Sequence, residues 1–97
     1  MNNAKLFVKL LTKFKAETNL DELTASLADG DMEKAQNLAH ALKGISANLS
    51  FTELFKQILE LETQIKAKSV NPNQIETVQA AYAATILEVD KVIAQND

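Results

Sequence analysis

The residue best suited to chemistry in this 97-residue chain is its single histidine, His40. An imidazole ring can act as a nucleophile or exchange a proton near neutral pH. The chain has no cysteine, which excludes disulfides and thiolate sites, and one histidine excludes a multi-histidine zinc site. No second acid, base or Gly-rich nucleotide loop accompanies the histidine in the sequence. A self-contained enzyme is therefore the least favoured class of function.

His40 is predicted to lie on the outer face of a helix that runs from Asp31 to about Leu49. At ~100° per residue, the large apolar side chains of this helix lie roughly 140° to 200° from His40 around the axis. These apolar residues are Leu38, Leu42, Ile45 and Leu49. The residues beside His40 are instead polar or small, namely Glu33, Gln36, Asn37, Lys43, Gly44 and Ala47. The imidazole is expected to point away from the core.

Gly44 follows one turn after His40 on the same face. A glycine inside a helix costs roughly 1 kcal/mol relative to alanine. Close packing against another helix would explain it, but this face is turned away from the core, so we expect open space for a bulky group or a partner. Lys43 shares the face and can bring its ammonium group near anything attached to the ring, although an ordinary solvated lysine has the same pattern.

Five amphipathic segments indicate an all-α protein with little material for β-turns, since the chain has two glycines and one proline. The first helix is predicted from Asn3 to Lys15. Thr18 is a plausible N-cap for the second, which Gly30 ends, and Asp31 caps the third. The apolar stripes of the first two helices comprise Leu6, Phe7, Leu10, Leu11 and Phe14, then Leu20, Leu23 and Leu27.

Two further helix starts are predicted from capping patterns. Ser50 and Glu53 have the spacing of a capping box, and Asn71 precedes Pro72, with Gln74 placed to close a second box. The two helices that follow carry Phe51, Leu54, Phe55, Ile58, Leu61 and Ile65, then Ile75, Val78, Tyr82, Ile86, Val89 and Ile93. Short connections favour antiparallel neighbours, so residues 1–97 are expected to form one domain, an antiparallel up-down four-helix bundle with a short additional N-terminal helix across one end.

Charge and hydropathy narrow the range of partners. The formal net charge is −3 and no block of Lys and Arg is present, so nucleic acid is not an expected partner. The longest run without a charged residue, Thr77 to Leu87, is too short to cross a bilayer. We expect a cytoplasmic protein with no membrane partner, and the polar outer faces favour a monomer.

The segment Ala39-His40-Ala41-Leu42-Lys43-Gly44, with Ser46, Asn48 and Leu49 after it, resembles the signature of histidine-containing phosphotransfer (HPt) domains. The pattern H-x-L-K-G lies mid-helix with the histidine outward, and the resemblance runs from about Leu20 to Ile93. The family usually has glycine where this chain has Ser50. The capping box offers a reason for serine at this break.

The resemblance implies a phosphoryl carrier. His40 would be phosphorylated, Lys43 would be the cation near the phosphoryl oxygens, and Gly44 would provide clearance. Similar domains place Gln or Glu on the adjacent helix to hydrogen-bond the imidazole, and that position corresponds to Glu62. Glu62 flanks the apolar stripe of its helix by roughly 50°, which agrees with this role, although a plain surface glutamate has the same pattern. Lys66 would add positive charge, and docking would use Gln36, Asn37, Ala47 and Asn48, with Lys66 on the neighbouring helix.

The partners implied by the resemblance are response-regulator receiver domains and a hybrid sensor histidine kinase. The chain would need no cofactor or metal of its own, since Mg²⁺ would come from the partner receiver domain. Two alternatives remain open. One is a kinase-fed phosphoacceptor domain of a chemotaxis-type histidine kinase, and the other is a helical interaction module with no chemistry on His40, which would need an exposed apolar stripe that the histidine face lacks.

Overall fold

A computed structural model describes residues 3–17 and 20–95, and these residues form five α-helices and no strand. The helices are α1 (Asn3–Glu17), α2 (Leu20–Ala28), α3 (Met32–Asn48), α4 (Thr52–Lys66) and α5 (Pro72–Gln95). The predicted all-α fold is confirmed, and each helix lies where the periodicity places it. The predicted cap Thr18 lies outside the described residues. The up-down order and the position of the N-terminal helix across one end stay predictions.

A single apolar core runs between the helices, and α3 and α4 share its most extensive interface. α4 packs next against α5, and α2 against α3, while α1 packs against α5. Eleven of the predicted stripe residues are among those most deeply buried: Leu11, Phe14, Leu20, Leu23, Leu42, Leu54, Ile58, Leu61, Ile65, Val78 and Val89. The periodicity therefore identified most of the core, but not all of the face that α3 buries.

The buried face of α3 is rotated from the predicted one. It consists of Ala35, Ala39, Leu42 and Ser46, whereas Ile45 is 38% exposed. At ~100° per residue the centre of this face lies roughly 60° from the centre of the large apolar residues. Small side chains at the interface let a neighbouring helix approach closely, so size rather than hydrophobicity selects this face. The rotation brings His40 closer to the edge of the core than the sequence indicated.

The turn between α3 and α4 is not a capping box, so that prediction is wrong. Ser50 has a positive φ of 62° and ends α3, with its N–H bonded to the Ala47 carbonyl and the Phe51 N–H bonded to the Ser46 carbonyl. This pair of bonds is the Schellman pattern, which favours glycine at the left-handed residue. Phe51 is the N-cap of α4, without a side-chain cap. The left-handed backbone thus explains why glycine suits this position.

The other helix starts agree with their predicted caps, with one exception. Asp31 caps α3 by accepting a hydrogen bond from the Lys34 N–H at 3.2 Å. The Asn71 side chain accepts from the Asn73 N–H at 2.9 Å, at the start of α5. Gln74 does not close a second capping box, because it donates to the Gln57 carbonyl on α4. The Asn71 N–H donates instead to Oε1 of Gln64 at 2.8 Å, so hydrogen bonds to α4 hold the start of α5.

α1 is held on α5 by an aromatic contact and a surface ion pair. The Phe14 ring lies 5.0 Å from the Phe51 ring and 6.1 Å from the Tyr82 ring, centroid to centroid. One residue further on, Lys15 pairs with Asp90. Within residues 3–17 and 20–95, no helix is long and apolar enough to cross a membrane.

Candidate functional site

His40 lies on the outer side of the groove between α3 and α4. Its side chain is 72% exposed, and its Nδ1 atom lies 3.1 Å from Oε2 of Glu62 on α4. The imidazole therefore has one nitrogen fixed against the protein, and the rest of the ring faces solvent. The predicted contact between His40 and Glu62 is present in the structure.

Glu62 is far more buried than a surface glutamate. Its side chain is 2% exposed, and it is surrounded by two cations as well as the imidazole. Lys43 Nζ lies 2.6 Å from Oε1, and Lys66 Nζ lies 3.8 Å from Oε2. The two lysines differ in exposure: the Lys43 side chain is 20% exposed, and the Lys66 side chain is 56% exposed. Each carboxylate oxygen thus faces a different cation.

The two oxygens of Glu62 are not equally satisfied. Oε2 is bonded to the His40 ring, whereas buried Oε1 has no aligned hydrogen-bond donor in the part of the chain that the structure describes. The contact between Lys43 and Oε1 is therefore a close ion pair without hydrogen-bond alignment. A buried carboxylate is costly unless its charge is compensated, so Oε1 depends on Lys43.

The charges around Glu62 keep it ionised. Burial acts to raise the pKa of Glu62, but contacts with Lys43 and the His40 ring, and the nearby charge of Lys66, outweigh burial and lower it below the ordinary value of 4.5. An ionised carboxylate can only accept hydrogen bonds. When His40 is neutral, its Nδ1 must therefore carry the proton, which leaves the lone pair on Nε2.

Gly44 has open space around it. A Cβ atom built on this residue would meet no atom within 4 Å outside the local helix backbone. The glycine is consequently not required for close packing against a neighbouring helix. Since Gly44 lies one turn beyond His40, this open surface leaves clearance beside the ring, as the sequence predicts.

The predicted docking residues surround His40 on α3. Asn37, Ala47 and Asn48 are exposed and Gln36 is half-buried, while Lys66 borders the groove from α4. Ile45 on α3 lies roughly 140° from His40 around the axis, so it does not add an apolar patch to this face. The histidine face is therefore polar and built from small side chains.

The donor set at His40 does not suit a metal ion. Glu62 brings its oxygens together with two lysines and an imidazole, whereas Mg²⁺ requires several oxygen ligands and no adjacent cations. Across residues 3–17 and 20–95, no group of three or more His, Asp or Glu side chains could hold a metal ion.

The family model of the Hpt domain matches residues 9–89, which is most of the chain. The chain belongs to the Hpt domain family. Hpt domains are phosphocarrier modules of two-component signalling, and they interact with receiver domains and kinases in phosphorelays. No curated protein and no solved structure matches the chain. The resemblance noted from the residues around His40 is thus confirmed.

Sequence reasoning did not anticipate that Glu62 is buried or that Lys43 pairs with it. A signal for the burial exists, because Glu62 follows Ile58 by four residues and Leu61 by one, on the border of a core stripe. A glutamate at such a position is rarely buried unless a cation pairs with it. Lys43 was expected to face the phosphoryl group, and no spacing rule indicates that a lysine on α3 turns towards α4 instead.

Proposed function

We propose that this Hpt protein carries phosphoryl groups on His40 in a cytoplasmic phosphorelay, accepting them from a receiver-domain aspartate of a hybrid sensor kinase and passing them to another receiver domain. The single observation that carries the proposal is the exposed imidazole whose Nδ1 is fixed by a buried, ionised Glu62. This arrangement presents Nε2 as the nucleophile on an open surface. Membership of the family supports the phosphotransfer role.

The transfer forms one bond and breaks one. The Nε2 lone pair attacks the phosphorus of the partner's aspartyl phosphate, and the P–O bond breaks with its electron pair left on the carboxylate oxygen. The proton on Nδ1 stays in place, so the ring becomes positively charged. Glu62 stabilises that charge through the 3.1 Å contact between Oε2 and Nδ1. The return transfer to a second receiver reverses these steps.

The chain contributes the position of the imidazole and the charge of Glu62 to the reaction. Phosphoryl transfer depends mainly on alignment and on neutralising the equatorial oxygens. The donor set around His40 does not suit Mg²⁺, so the ion that neutralises those oxygens belongs to the receiver domain. We therefore assign this protein the role of a carrier with no cofactor or metal of its own, whose chemistry needs a partner.

The docking surface fits a short-lived complex. The exposed side chains near His40 are small or polar, with Asn37, Ala47 and Asn48 on α3 and Lys66 on α4. Transient signalling complexes bury modest areas and release their partners quickly. A carrier that must leave one receiver and bind another is served by such a surface.

The proposal is tested by mixing the protein with a panel of ³²P-labelled receiver domains and Mg²⁺. We expect acid-labile, base-stable label on the wild type and none on His40→Gln, whose circular dichroism should match the wild type. Transfer from no receiver by a folded wild-type protein would contradict the relay. Label from ATP and a histidine kinase alone would indicate the kinase-fed acceptor instead.

One observation favours a second function, a helical interaction module. α1 exposes three large apolar side chains, Leu6 (58%), Phe7 (42%) and Leu10 (43%). Exposed apolar residues grouped on one helix are typical of a binding surface. A module of this kind would bind its partner equally well with His40→Gln, and Leu10→Asp would weaken that binding. Loss of all phosphotransfer in His40→Gln, with partner binding lost only in Leu10→Asp, would show both functions in one protein.

A further inference from the structure

Two lysines border the carboxylate that fixes His40, and their surroundings differ enough to separate their roles. This inference rests on the proposed function and concerns which lysine follows the phosphoryl group. The H-x-L-K-G pattern points to Lys43. The contacts in the groove between α3 and α4 favour different roles for the two lysines.

Lys43 is committed to Glu62. Its Nζ lies 2.6 Å from Oε1, an oxygen with no aligned hydrogen-bond donor among the described residues, in a side chain that is 2% exposed. If Lys43 moved to a phosphoryl group, buried Oε1 would lose its cation, and only the contacts of Oε2 would compensate the charge of Glu62. Removing one partner from a buried ion pair is strongly unfavourable. Lys43 therefore has a high cost of release.

Lys66 has a low cost of release. Its Nζ lies 3.8 Å from Oε2, beyond hydrogen-bond distance, and its side chain is 56% exposed. Oε2 is also the oxygen that contacts His40, so Oε2 keeps a partner when Lys66 leaves. The oxygen next to Lys66 is thus the one next to the ring. Lys66 is exposed, charged and adjacent to the site of phosphorylation.

The charge balance of the groove gives Lys66 a reason to move. With His40 neutral, Lys43 and Lys66 against Glu62 leave the group at a formal +1. A phosphoryl group carries about −1.5 to −2 charges near neutral pH, and the ring that bears it becomes positive, so phosphorylation makes the group more negative by about 0.5 to 1 charge. One lysine is enough to compensate the charge of Glu62, so before phosphorylation the charge of Lys66 is in excess.

We propose that Lys66 is the cation that pairs with the phosphoryl group on His40, and that Lys43 is a positioning residue whose ammonium group compensates the buried carboxylate of Glu62 and holds it in place. Lys43 acts on the imidazole through Glu62, and Lys66 acts on the phosphoryl oxygens directly.

The test uses phosphoramidate, so it does not require a partner protein. The Nε2 lone pair attacks the phosphorus of N-protonated phosphoramidate. The P–N bond breaks with its electron pair on nitrogen, and neutral ammonia leaves. The second ionisation of the bound phosphoryl group is then followed by ³¹P NMR against pH. A neighbouring cation favours the dianion, so its removal raises the phosphoryl pKa. The variants are Lys66→Met, Lys43→Met and, as a matched control on the exposed side of α4, Lys56→Met, each also made with Glu62→Gln.

We expect Lys66→Met to raise the phosphoryl pKa by roughly half a unit in both backgrounds, and Lys56→Met to leave it unchanged. Lys43→Met should lower the melting temperature by about 5 °C when Glu62 is present. With Glu62 in place, Lys43→Met should change the phosphoryl pKa less than Lys66→Met does. In the Glu62→Gln background, Lys43→Met should raise the melting temperature, because it removes a mostly buried ammonium group that has lost its carboxylate.

The proposal would be overturned if Lys66→Met behaved like Lys56→Met. It would also be overturned if Lys43→Met, with Glu62 in place, raised the phosphoryl pKa as much as Lys66→Met does. These outcomes are separate from failure of the relay function. A protein that phosphoramidate phosphorylates on His40, but that exchanges phosphate with no receiver, would contradict the proposed function and still report on the lysines.

Discussion

Two interhelical ion pairs of this protein each join a lysine to a carboxylate, in different surroundings. Glu62 on α4 pairs with Lys43 on α3, and the glutamate side chain is 2% exposed. Asp90 on α5 pairs with Lys15 on α1, and both side chains are close to half exposed, at 45% and 47%. The first pair must be compensated because water cannot reach the carboxylate, whereas the second is largely solvated.

The comparison shows that a buried carboxylate can orient a neighbouring group, whereas an exposed carboxylate cannot. At Asp90, water and salt screen the carboxylate, so the pair adds little to stability and directs no other group. At Glu62, burial gives the carboxylate one orientation, and that orientation determines which nitrogen of His40 carries the proton. An exposed imidazole is thus controlled by a buried charge on the neighbouring helix.

The largest difference between the two pairs is expected when each carboxylate is replaced by its isosteric amide. We expect Glu62→Gln to slow transfer from a phosphorylated receiver about tenfold, because the amide oxygen can accept the same hydrogen bond but carries no negative charge to stabilise the positive ring. The variant should also lose about 2 kcal/mol of unfolding free energy, since Lys43 loses its partner in a mostly buried position. Stopped-flow transfer kinetics and urea unfolding measure the two effects.

The matched control is Asp90→Asn. It should leave the transfer rate unchanged and alter the unfolding free energy by less than about 0.5 kcal/mol. Equal losses of stability in the two variants would mean that burial does not distinguish the pairs. A normal transfer rate in Glu62→Gln would return Glu62 to a purely structural role.

The pH dependence of stability sharpens the same contrast. The pKa of Glu62 is lowered below 4.5 in the folded protein, so the folded state binds this proton less readily than the unfolded state. Its contribution to stability is complete above the unfolded pKa and is lost as the pH falls through the folded pKa. Urea unfolding between pH 6 and pH 3 should therefore show a steeper acid loss in the wild type than in Glu62→Gln. Parallel profiles would contradict the lowered pKa.

Gly44 offers a smaller effect on the same face of α3 as His40. Gly44→Ala should raise stability by about 1 kcal/mol, because the added Cβ meets no neighbour and alanine is the better helix former. Gly44→Gln should slow phosphotransfer several-fold by crowding the ring, while folding stays intact. If the glutamine variant transferred as fast as Gly44→Ala, clearance would not be the reason for the glycine.

The turn at Ser50 lies outside both ion pairs. A substitution there is expected to change stability through backbone conformation alone. Its positive φ of 62° is unfavourable for serine and free for glycine. Ser50→Gly should therefore stabilise the protein by up to about 1 kcal/mol, with an unchanged transfer rate. Thermal unfolding tests this, and a loss of stability would mean that the serine side chain contributes a contact at the turn.

The helices and most of the core were predictable because apolar periodicity and short caps act locally. Asp31 and the Asn71–Pro72 pair marked helix starts correctly. Ser50 and Glu53 matched a capping box by spacing alone, yet the backbone reversal between α3 and α4 needed a left-handed residue at this position. A local pattern cannot show which of two local structures the tertiary fold requires.

The site was predictable in outline and not in its charge pairing. His40 and its contact with Glu62 were expected, but the exposure of Ile45 and the burial of small residues on α3 were not. Ala39 and Ser46 are core residues because small side chains allow two helices to pack closely. Hydropathy does not indicate this property. The same rotation of α3 brings Lys43 to Glu62, so this pair could not be read from one helix at a time.

The central claim is that Glu62 presents Nε2 of His40 as the nucleophile. Because His40 is the single histidine of the chain, long-range ¹H–¹⁵N correlation spectra report its ring without ambiguity. The account predicts a neutral ring protonated on Nδ1 and, after phosphorylation, phosphorus coupled to Nε2. A ring protonated on Nε2, or a phosphoryl group on Nδ1, would contradict it.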